Sequence, residues 1–281
     1  MYSRVLFAVE DDEALPAAVP VVAAYARRWG AYVCVLHVHR ADRNAPNGAS
    51  WRLVKGVVEC LGAEGVRAEG EIRPLARGGK VAQAIVGAAR HARADLVAVG
   101  SHGRTDLGAL FRGSVSHAVA AGVEAPVLVV RASAARPAEP RVVLVPVDGS
   151  AGSDQAVAEA AEIASTFGAR VSILHVQVLV AADGAVAVEP QEHAQAVMRT
   201  AVATVAARGV HVTGETVPGN SVVQVLVDAA ARTGADLVVL GSRRPSDLGG
   251  LLLGSTAHDV IHRLRCPVLL GRRVTAAESV A

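Results

Sequence analysis

Short runs of valine, leucine and isoleucine alternate along the chain with longer alanine-rich segments of helical period. The runs are almost continuously apolar, which is typical of parallel strands covered by helices on both faces. Each half of the chain is predicted to contain five strands and four helices. The predicted strands are residues 4–9, 31–38, 66–73, 95–100 and 126–131, then 142–147, 170–176, 210–217, 236–241 and 267–271; the predicted helices are residues 14–29, 50–63, 79–92 and 113–122, then 152–167, 190–208, 220–233 and 254–264.

The two halves of the chain repeat each other in sequence. R-V-L-F-A-V-E at 4–10 recurs as V-V-L-V-P-V-D at 142–148, and V-C-V-L-H-V at 33–38 recurs as V-S-I-L-H-V at 171–176. D-L-G-A-L-F-R-G-S, which ends at Ser114, likewise recurs as D-L-G-G-L-L-L-G-S, which ends at Ser255. The repeated segments lie about half of the chain apart. A repeat of this period indicates a duplicated domain, because solenoid units span only about 20–50 residues.

The predicted architecture is α/β, with two tandem Rossmann-like domains. Five strands that alternate with helices through right-handed crossovers form an open, doubly wound parallel sheet. The domain boundaries predicted from the pattern are 1–132 and 141–273. Residues 133–140, rich in proline and small residues, are predicted to be a linker, and 274–281 a tail.

Composition and charge exclude several classes of protein. Hydrophobic residues make up 52% of the 281 residues, too many for a disordered chain, and aromatics only 3%, so the core is built from aliphatic residues. The net charge of +2 argues against a nucleic-acid partner, which favours a strongly basic surface. Three widely spaced cysteines predict neither a disulfide framework nor a zinc site, and two of them lie in apolar contexts typical of buried thiols.

The distribution of apolar residues also bears on location. No apolar stretch approaches the roughly 20 residues that a membrane span needs. The first residues, Met1-Tyr2-Ser3-Arg4, do not resemble a signal peptide. A cytoplasmic protein without a membrane partner is therefore expected.

Candidate chemistry follows the fourth strand of the first half. Gly100-Ser101-His102-Gly103 is followed, after nine residues, by Gly113-Ser114 at the start of a helix. Glycines permit close approach of a ligand, and free amides at a helix N-terminus favour an anion such as phosphate. The alternative is ordinary turn and capping chemistry, which uses the same residue types.

The complete pattern G-x2-G-x9-G-S resembles the ATP-binding signature of the universal stress protein family, and Val147-Asp148-Gly149-Ser150 resembles its opening motif. The resemblance covers almost the whole chain as a tandem pair. It implies Rossmann-like domains that pair through their last strands, here as an intrachain pseudo-dimer, and a homodimer of chains is an open alternative. It also implies an adenine nucleotide partner: ATP in some members, with magnesium only if a triphosphate binds.

Carried over onto this sequence, the resemblance implies binding residues Glu10, Val38, Gly100, Gly103, Arg104, Gly113, Ser114 and Val115 in the first half, and Asp148, Val176, Gly241, Arg244, Gly254, Ser255 and Thr256 in the second.

Each half departs once from the family pattern. Glu10 replaces the family's aspartate in the first half, which moves the carboxylate outward by one methylene. Arg244 replaces the second glycine in the second half; its side chain either fills the phosphate space or binds a phosphate itself.

Other polar residues are better explained structurally. His37 and His175 lie at apolar strand ends and are expected to be structural, and Val38 and Val176 are equally consistent with plain core positions. Arg131 and Arg141 are expected at solvated ends of elements.

Three functions are consistent with these patterns. The leading one is a stress-response regulatory protein that acts through ATP occupancy and not through turnover, since no catalytic residues are evident. The second is a nucleotide-free scaffold, which the substitutions at Glu10 and Arg244 favour. The third is an ATP-consuming enzyme on the same fold, because fold alone does not determine function.

Overall fold

The structure is a computed structural model that describes residues 1–10, 14–40, 48–101, 115–132, 137–182, 185–241 and 255–271. These residues form two compact units, the first ending at Glu139 and the second beginning at Pro140. Each unit is an α/β domain with helices packed on a mainly parallel sheet. The predicted fold class is confirmed.

The first unit contains five parallel strands in the order β3-β2-β1-β4-β5. The chain therefore adds two strands on one side of β1 before it crosses back to add β4 and β5 on the other. The strands are β1 (Arg4–Ala8), β2 (Tyr32–Arg40), β3 (Ala68–Leu75), β4 (Leu96–Ser101) and β5 (Val127–Arg131), and the helices are α1 (Leu15–Trp29), α2 (Gly48–Ala63), α3 (Val81–His91) and α4 (Val115–Gly122).

The second unit repeats this topology and adds one strand. Its elements are β6 (Val142–Val147), α5 (Ala151–Phe167), β7 (Arg170–Ala182), β8 (Ala185–Val188), α6 (Gln191–Ala206), β9 (Val212–Gly219), α7 (Val222–Thr233), β10 (Leu237–Leu240), α8 (Ser255–Arg263) and β11 (Val268–Leu270). The parallel order is β9-β7-β6-β10-β11. Strand β8 pairs antiparallel with the end of β7, forming a hairpin that the sequence pattern did not predict.

The core of each unit is aliphatic, as the composition predicts. Leu6 and Phe7 of β1, and Leu144 and Val145 of β6, have essentially no exposed surface. These central strands are covered on both faces, which explains why they are uninterrupted apolar runs. Strands β3 and β9 lie at one end of each order and expose more positions, among them Glu69 of β3, and charged edges discourage pairing with another chain.

Two predicted strands, at 66–73 and 210–217, begin two residues too early. Val66 and Val210 are both buried, but they lie in the turns that leave α2 and α6. The amide of Val66 still donates to the carbonyl of Leu61 in α2, 2.9 Å away. A buried valine next to a strand has the same sequence pattern as a strand residue, so only the backbone hydrogen bonds separate the two cases.

The cysteines are free, with Cys34 and Cys266 buried and Cys60 exposed. Burial raises the pKa of the Cys34 thiol to about 11, and the carboxylates of Glu71 and Glu69 contribute to the increase. Because the thiolate is the reactive form, Cys34 stays protonated and unreactive near neutral pH.

An aspartate anchors the first strand of each unit. Asp95 accepts hydrogen bonds from the amides of Ser3 and Arg4, each at 2.8 Å. Asp236 accepts from the amides of Arg141 and Val142 at 3.0 and 3.2 Å. These aspartates belong to the repeated A-D-L-V segments, so the duplication also preserves a tertiary contact.

We expect Asp236→Ala to destabilise the second unit by about 2 kcal/mol, because Asp236 is buried and its loss leaves amide donors without their acceptor. Asp95→Ala is the matched control, since the same contact in the first unit is more exposed and water can replace the carboxylate. Denaturant unfolding of both variants measures the difference. Equal losses of free energy of unfolding would contradict the argument from burial.

Candidate functional site

The candidate site of the first unit lies at the carboxyl edge of the sheet, between β1 and β4. Strand order reverses there, and ligands of doubly wound sheets bind outside the strand ends at such a switch point. Ala8, the last residue of β1, pairs with Leu36 of β2 and Val99 of β4. The parallel register therefore brings Glu10, Val38 and Gly100 to one edge.

The second unit brings together the corresponding residues at the edge between β6 and β10. Val147 pairs with His175 of β7, and Leu144 pairs with Val238 of β10. Asp148, Val176 and Gly241 follow at the same edge. The duplicated sequence thus produces two equivalent switch points.

The acidic residue at each edge is exposed, and the carboxylate of Asp148 is held by the turn that follows it. Asp148 Oδ1 accepts from the amide and hydroxyl of Ser150, at 3.1 and 2.6 Å. Ser150 in turn caps α5, because its Oγ accepts from the amide of Ser153 at 3.2 Å. Gly149 between them has a φ of +75°, which favours glycine. The turn therefore holds the exposed carboxylate of Asp148 at the edge.

Gly241 is required by close packing as well as by position. A Cβ at this residue would lie 2.4 Å from the carbonyl oxygen of Gly152 and 2.8 Å from the amide nitrogen of Ser153. The first turn of α5 therefore contacts the end of β10 directly. Glycine at 241 allows the N-terminus of α5 to reach the switch point.

The two valines differ in burial. Val176 is 8% exposed, and its Cγ1 would lie 3.6 Å from a Cβ at Gly219, so it is a core residue. Val38 is half-buried at the end of β2. Both residues lie at the expected edge, and Val38 presents more surface to a ligand.

The histidines at the strand ends are held by backbone and carboxylate groups. His37 Nδ1 lies 3.0 Å from the carbonyl oxygen of Val9, and His175 Nδ1 lies 2.9 Å from that of Val147. His175 Nε2 also lies 2.7 Å from Oε2 of Glu189. Sequence reasoning did not identify Glu189, because a glutamate before a proline in a connecting segment has no distinguishing pattern.

Arg131 is less exposed than predicted. The sequence placed it at a solvated strand end, but it is half-buried at the end of β5 and pairs in register with Ser101. Desolvation by burial lowers the pKa of its guanidinium below the ordinary value. The β4–β5 pairing keeps this side chain at the same edge as Gly100. Arg141, in contrast, is exposed as predicted.

The glycine loops lie outside the described residues. This applies to Gly103, Arg104, Gly113 and Ser114 in the first half and to Arg244 and Gly254 in the second. The helices that follow are described: α4 begins at Val115, which is 40% exposed, and α8 begins with Ser255 and Thr256, for which only the backbone is described. An N-terminus of a helix thus follows each loop.

Within the described ranges, no cluster of three or more histidine, cysteine or acidic side chains has an arrangement suited to a metal ion. No helix among the described residues combines the length and apolarity needed to cross a lipid bilayer.

Comparison with known proteins identifies relatives of both halves. The sequence model of the universal stress protein family matches residues 1–131 and again residues 140–272. Universal stress proteins of Mycobacterium bovis and Mycobacterium tuberculosis are 34% identical over 191 residues, which is 64% of this chain. The match spans 62% of the length of each relative, somewhat less than two thirds.

Solved structures share the fold of the whole chain. A universal stress protein from Archaeoglobus fulgidus covers 96% of this chain, and 96% of its own, with a TM-score of 0.76 and 20% identity. A universal stress protein structure from Pseudomonas aeruginosa covers 96% of this chain and 93% of its own, with a TM-score of 0.69 and 18% identity. At these identities the likeness concerns the fold.

Proposed function

Since the chain belongs to the universal stress protein family, we propose that it binds an adenine nucleotide, ATP, at the carboxyl edges between β1 and β4 and between β6 and β10. In this proposal the protein is a stress-response regulator whose output depends on nucleotide occupancy. The observation that carries the proposal is the repeated juxtaposition of a carboxylate and a glycine at the switch point, Glu10 with Gly100 and Asp148 with Gly241.

Each part of the edge matches one part of the nucleotide. The carboxylate of Glu10 or Asp148 accepts hydrogen bonds, which suits the ribose hydroxyls. The amides at the N-termini of α4 and α8 favour the phosphates, because the helix dipole is positive there. The half-buried Val38 offers an apolar contact for the base.

The two edges are not equivalent in this proposal. Asp148 is held by Ser150, so its carboxylate is already placed before a ligand arrives. Glu10 has one more rotatable bond, and fixing that side chain costs additional conformational entropy. With respect to the carboxylate alone, the second unit is therefore better prepared to bind ATP than the first.

Magnesium would accompany ATP through the phosphates. It prefers near-octahedral oxygen ligation and keeps several water molecules. Because the carboxylates of Glu10 and Asp148 are assigned to the ribose hydroxyls in this proposal, phosphate and water oxygens would be the main ligands of the ion. The ion would neutralise part of the negative charge of the phosphates.

A nucleotide-free scaffold remains the second candidate, and two observations favour it. Asp148 already stabilises the turn that caps α5, and Gly241 is already required by its contact with Gly152. Both residues therefore have structural reasons to be present without a ligand.

Nucleotide release followed by calorimetry tests the choice. One sample of purified protein is denatured, and the supernatant is analysed by mass spectrometry. A second, native sample is titrated with ATP by calorimetry. We expect adenine nucleotide in the supernatant, saturable heat on titration, and phosphate release much slower than enzyme turnover. No released nucleotide and no heat with millimolar ATP would favour the scaffold, and steady enzyme-like phosphate release would favour an ATP-consuming enzyme.

A further inference from the structure

We propose that His175, with its ring orientation set by Glu189, is a positioning residue that places Asp148 for nucleotide binding in the second unit. This inference rests on the proposed function and adds a residue to that site. It concerns a side chain beneath the edge that does not itself contact the nucleotide.

The first step is the contact with the strand end. His175 is 2% exposed, and its Nδ1 donates to the carbonyl oxygen of Val147 at 2.9 Å. Val147 is the last residue of β6 and directly precedes Asp148. The hydrogen bond therefore fixes the direction in which the chain leaves the sheet, and with it the position of the Asp148 carboxylate.

The second step is the recurrence of this contact in the first unit. His37 Nδ1 lies 3.0 Å from the carbonyl oxygen of Val9, which directly precedes Glu10. Both units thus place a histidine of the second strand under the carbonyl that precedes the acidic residue. Both histidines belong to the repeated segments 33–38 and 171–176, so the duplication preserves this contact in both units.

The third step is the arrangement that fixes the ring of His175. Its Nε2 lies 2.7 Å from Oε2 of Glu189, whose backbone carbonyl accepts from Nε2 of Gln177 at 2.8 Å. Since a carbonyl oxygen can only accept, Nδ1 is the donor in its contact with Val147, and the carboxylate of Glu189 holds the ring at Nε2. The carboxylate thus fixes the ring orientation in which Nδ1 points at Val147.

The fourth step connects this pair to the surrounding elements. Glu189 lies between β8 and α6, and its Oε1 is 3.4 Å from Nε2 of His193 in the first turn of α6. His193 lies against the turn after β6, because its Nε2 would be 3.8 Å from a Cβ at Gly149. Helix α6 therefore packs against the Asp148 turn, and Glu189 links this helix to His175.

A double-mutant cycle tests whether His175 acts through Asp148. ATP affinity is measured by calorimetry in a Glu10→Ala background, so that the signal reports the second unit. We expect His175→Ala to weaken binding about 10-fold, and to have no further effect when combined with Asp148→Asn. His175→Asn, which retains a donor for the Val147 carbonyl, should recover most of the affinity, and His211→Ala, an exposed histidine at the opposite edge, should change nothing.

Amide hydrogen exchange tests the positioning role of His175 without a nucleotide. The amide of Ser150 donates to Asp148, so its exchange rate reports the order of this turn. We expect faster exchange at Ser150 in His175→Ala and in Glu189→Ala, and unchanged exchange in His175→Asn and His211→Ala. Unchanged exchange in His175→Ala would overturn the positioning role.

The two measurements separate failure of the inference from failure of the proposed function. If Asp148→Asn weakens ATP binding while the effect of His175→Ala is absent or simply adds to it, the inference is wrong and the nucleotide site stands. If Asp148→Asn has no effect on ATP binding, the proposed site in the second unit is wrong, and the inference about nucleotide binding is overturned with it.

Discussion

Replacement of Gly241 by alanine is expected to lower the free energy of unfolding of the second unit by about 3 kcal/mol, at the upper end of the usual cost of overpacking. The new Cβ would lie 2.4 Å from the carbonyl oxygen and 2.5 Å from the carbonyl carbon of Gly152. These are backbone atoms in the first turn of α5, so no side-chain rotation relieves the contact. Either α5 or the end of β10 must move, and each movement disturbs a buried interface.

Thermal unfolding measures this effect, with an expected decrease in the midpoint of about 10 °C. Gly56→Ala is the matched control, because Gly56 lies inside α2 and nothing approaches its Cβ position within 4 Å. Alanine is favoured over glycine by about 1 kcal/mol in a helix, so the control should be stabilised. A Gly241→Ala variant as stable as the parent chain would show that α5 does not approach β10 as described.

Replacement of Asp148 by asparagine is expected to weaken ATP binding in the second unit by about 10- to 100-fold. The change removes the charge from the proposed ribose acceptor, and hydrogen bonds to charged groups contribute about 1.5–3 kcal/mol. Asparagine keeps a side-chain oxygen that can accept from the amide and hydroxyl of Ser150, so the cap of α5 is retained. The loss therefore measures binding and not folding.

Calorimetric titration with ATP, again in the Glu10→Ala background, checks this prediction. Asp154→Asn is the matched control, because Asp154 is an exposed aspartate in the first turn of the same helix. Asp154 lies near the edge but is not part of the proposed site, so the ATP affinity of the Asp154→Asn variant should match that of the parent. Equal losses in both variants would indicate a general electrostatic effect, and no loss in Asp148→Asn would remove this residue from the site.

The agreement between the sequence repeat and the two structural units shows how much the pattern alone predicts. The recurrence of R-V-L-F-A-V-E as V-V-L-V-P-V-D predicts a duplicated first strand, and the structure places β1 and β6 in equivalent central positions. Glu10, Val38 and Gly100 were named through the family resemblance, and strand order and register place them at one edge. Such convergence is predictable because parallel strands linked by right-handed crossovers leave few possible topologies.

Two features were missed for different reasons. The β7–β8 hairpin has a local signal, because Asp183-Gly184 between two apolar runs is typical of a two-residue hairpin turn, and the prediction did not use it. The half-burial of Arg131 depends on neighbouring strands, while the sequence shows only a charge at the end of an apolar segment. Only in the second case does the missing information concern contacts that are distant along the chain.

The amino-acid sequence by itself determined the fold class and the duplication, because periodicity and repetition can be read directly along a chain. Only the tertiary structure decided that Gly241 faces the backbone of Gly152, that Asp236 anchors β6, and that His175 links Glu189 to the strand end before Asp148. These contacts join residues that are far apart in sequence. Their distances follow from the way the helices pack on the sheet, and no pattern of neighbouring residues encodes that packing.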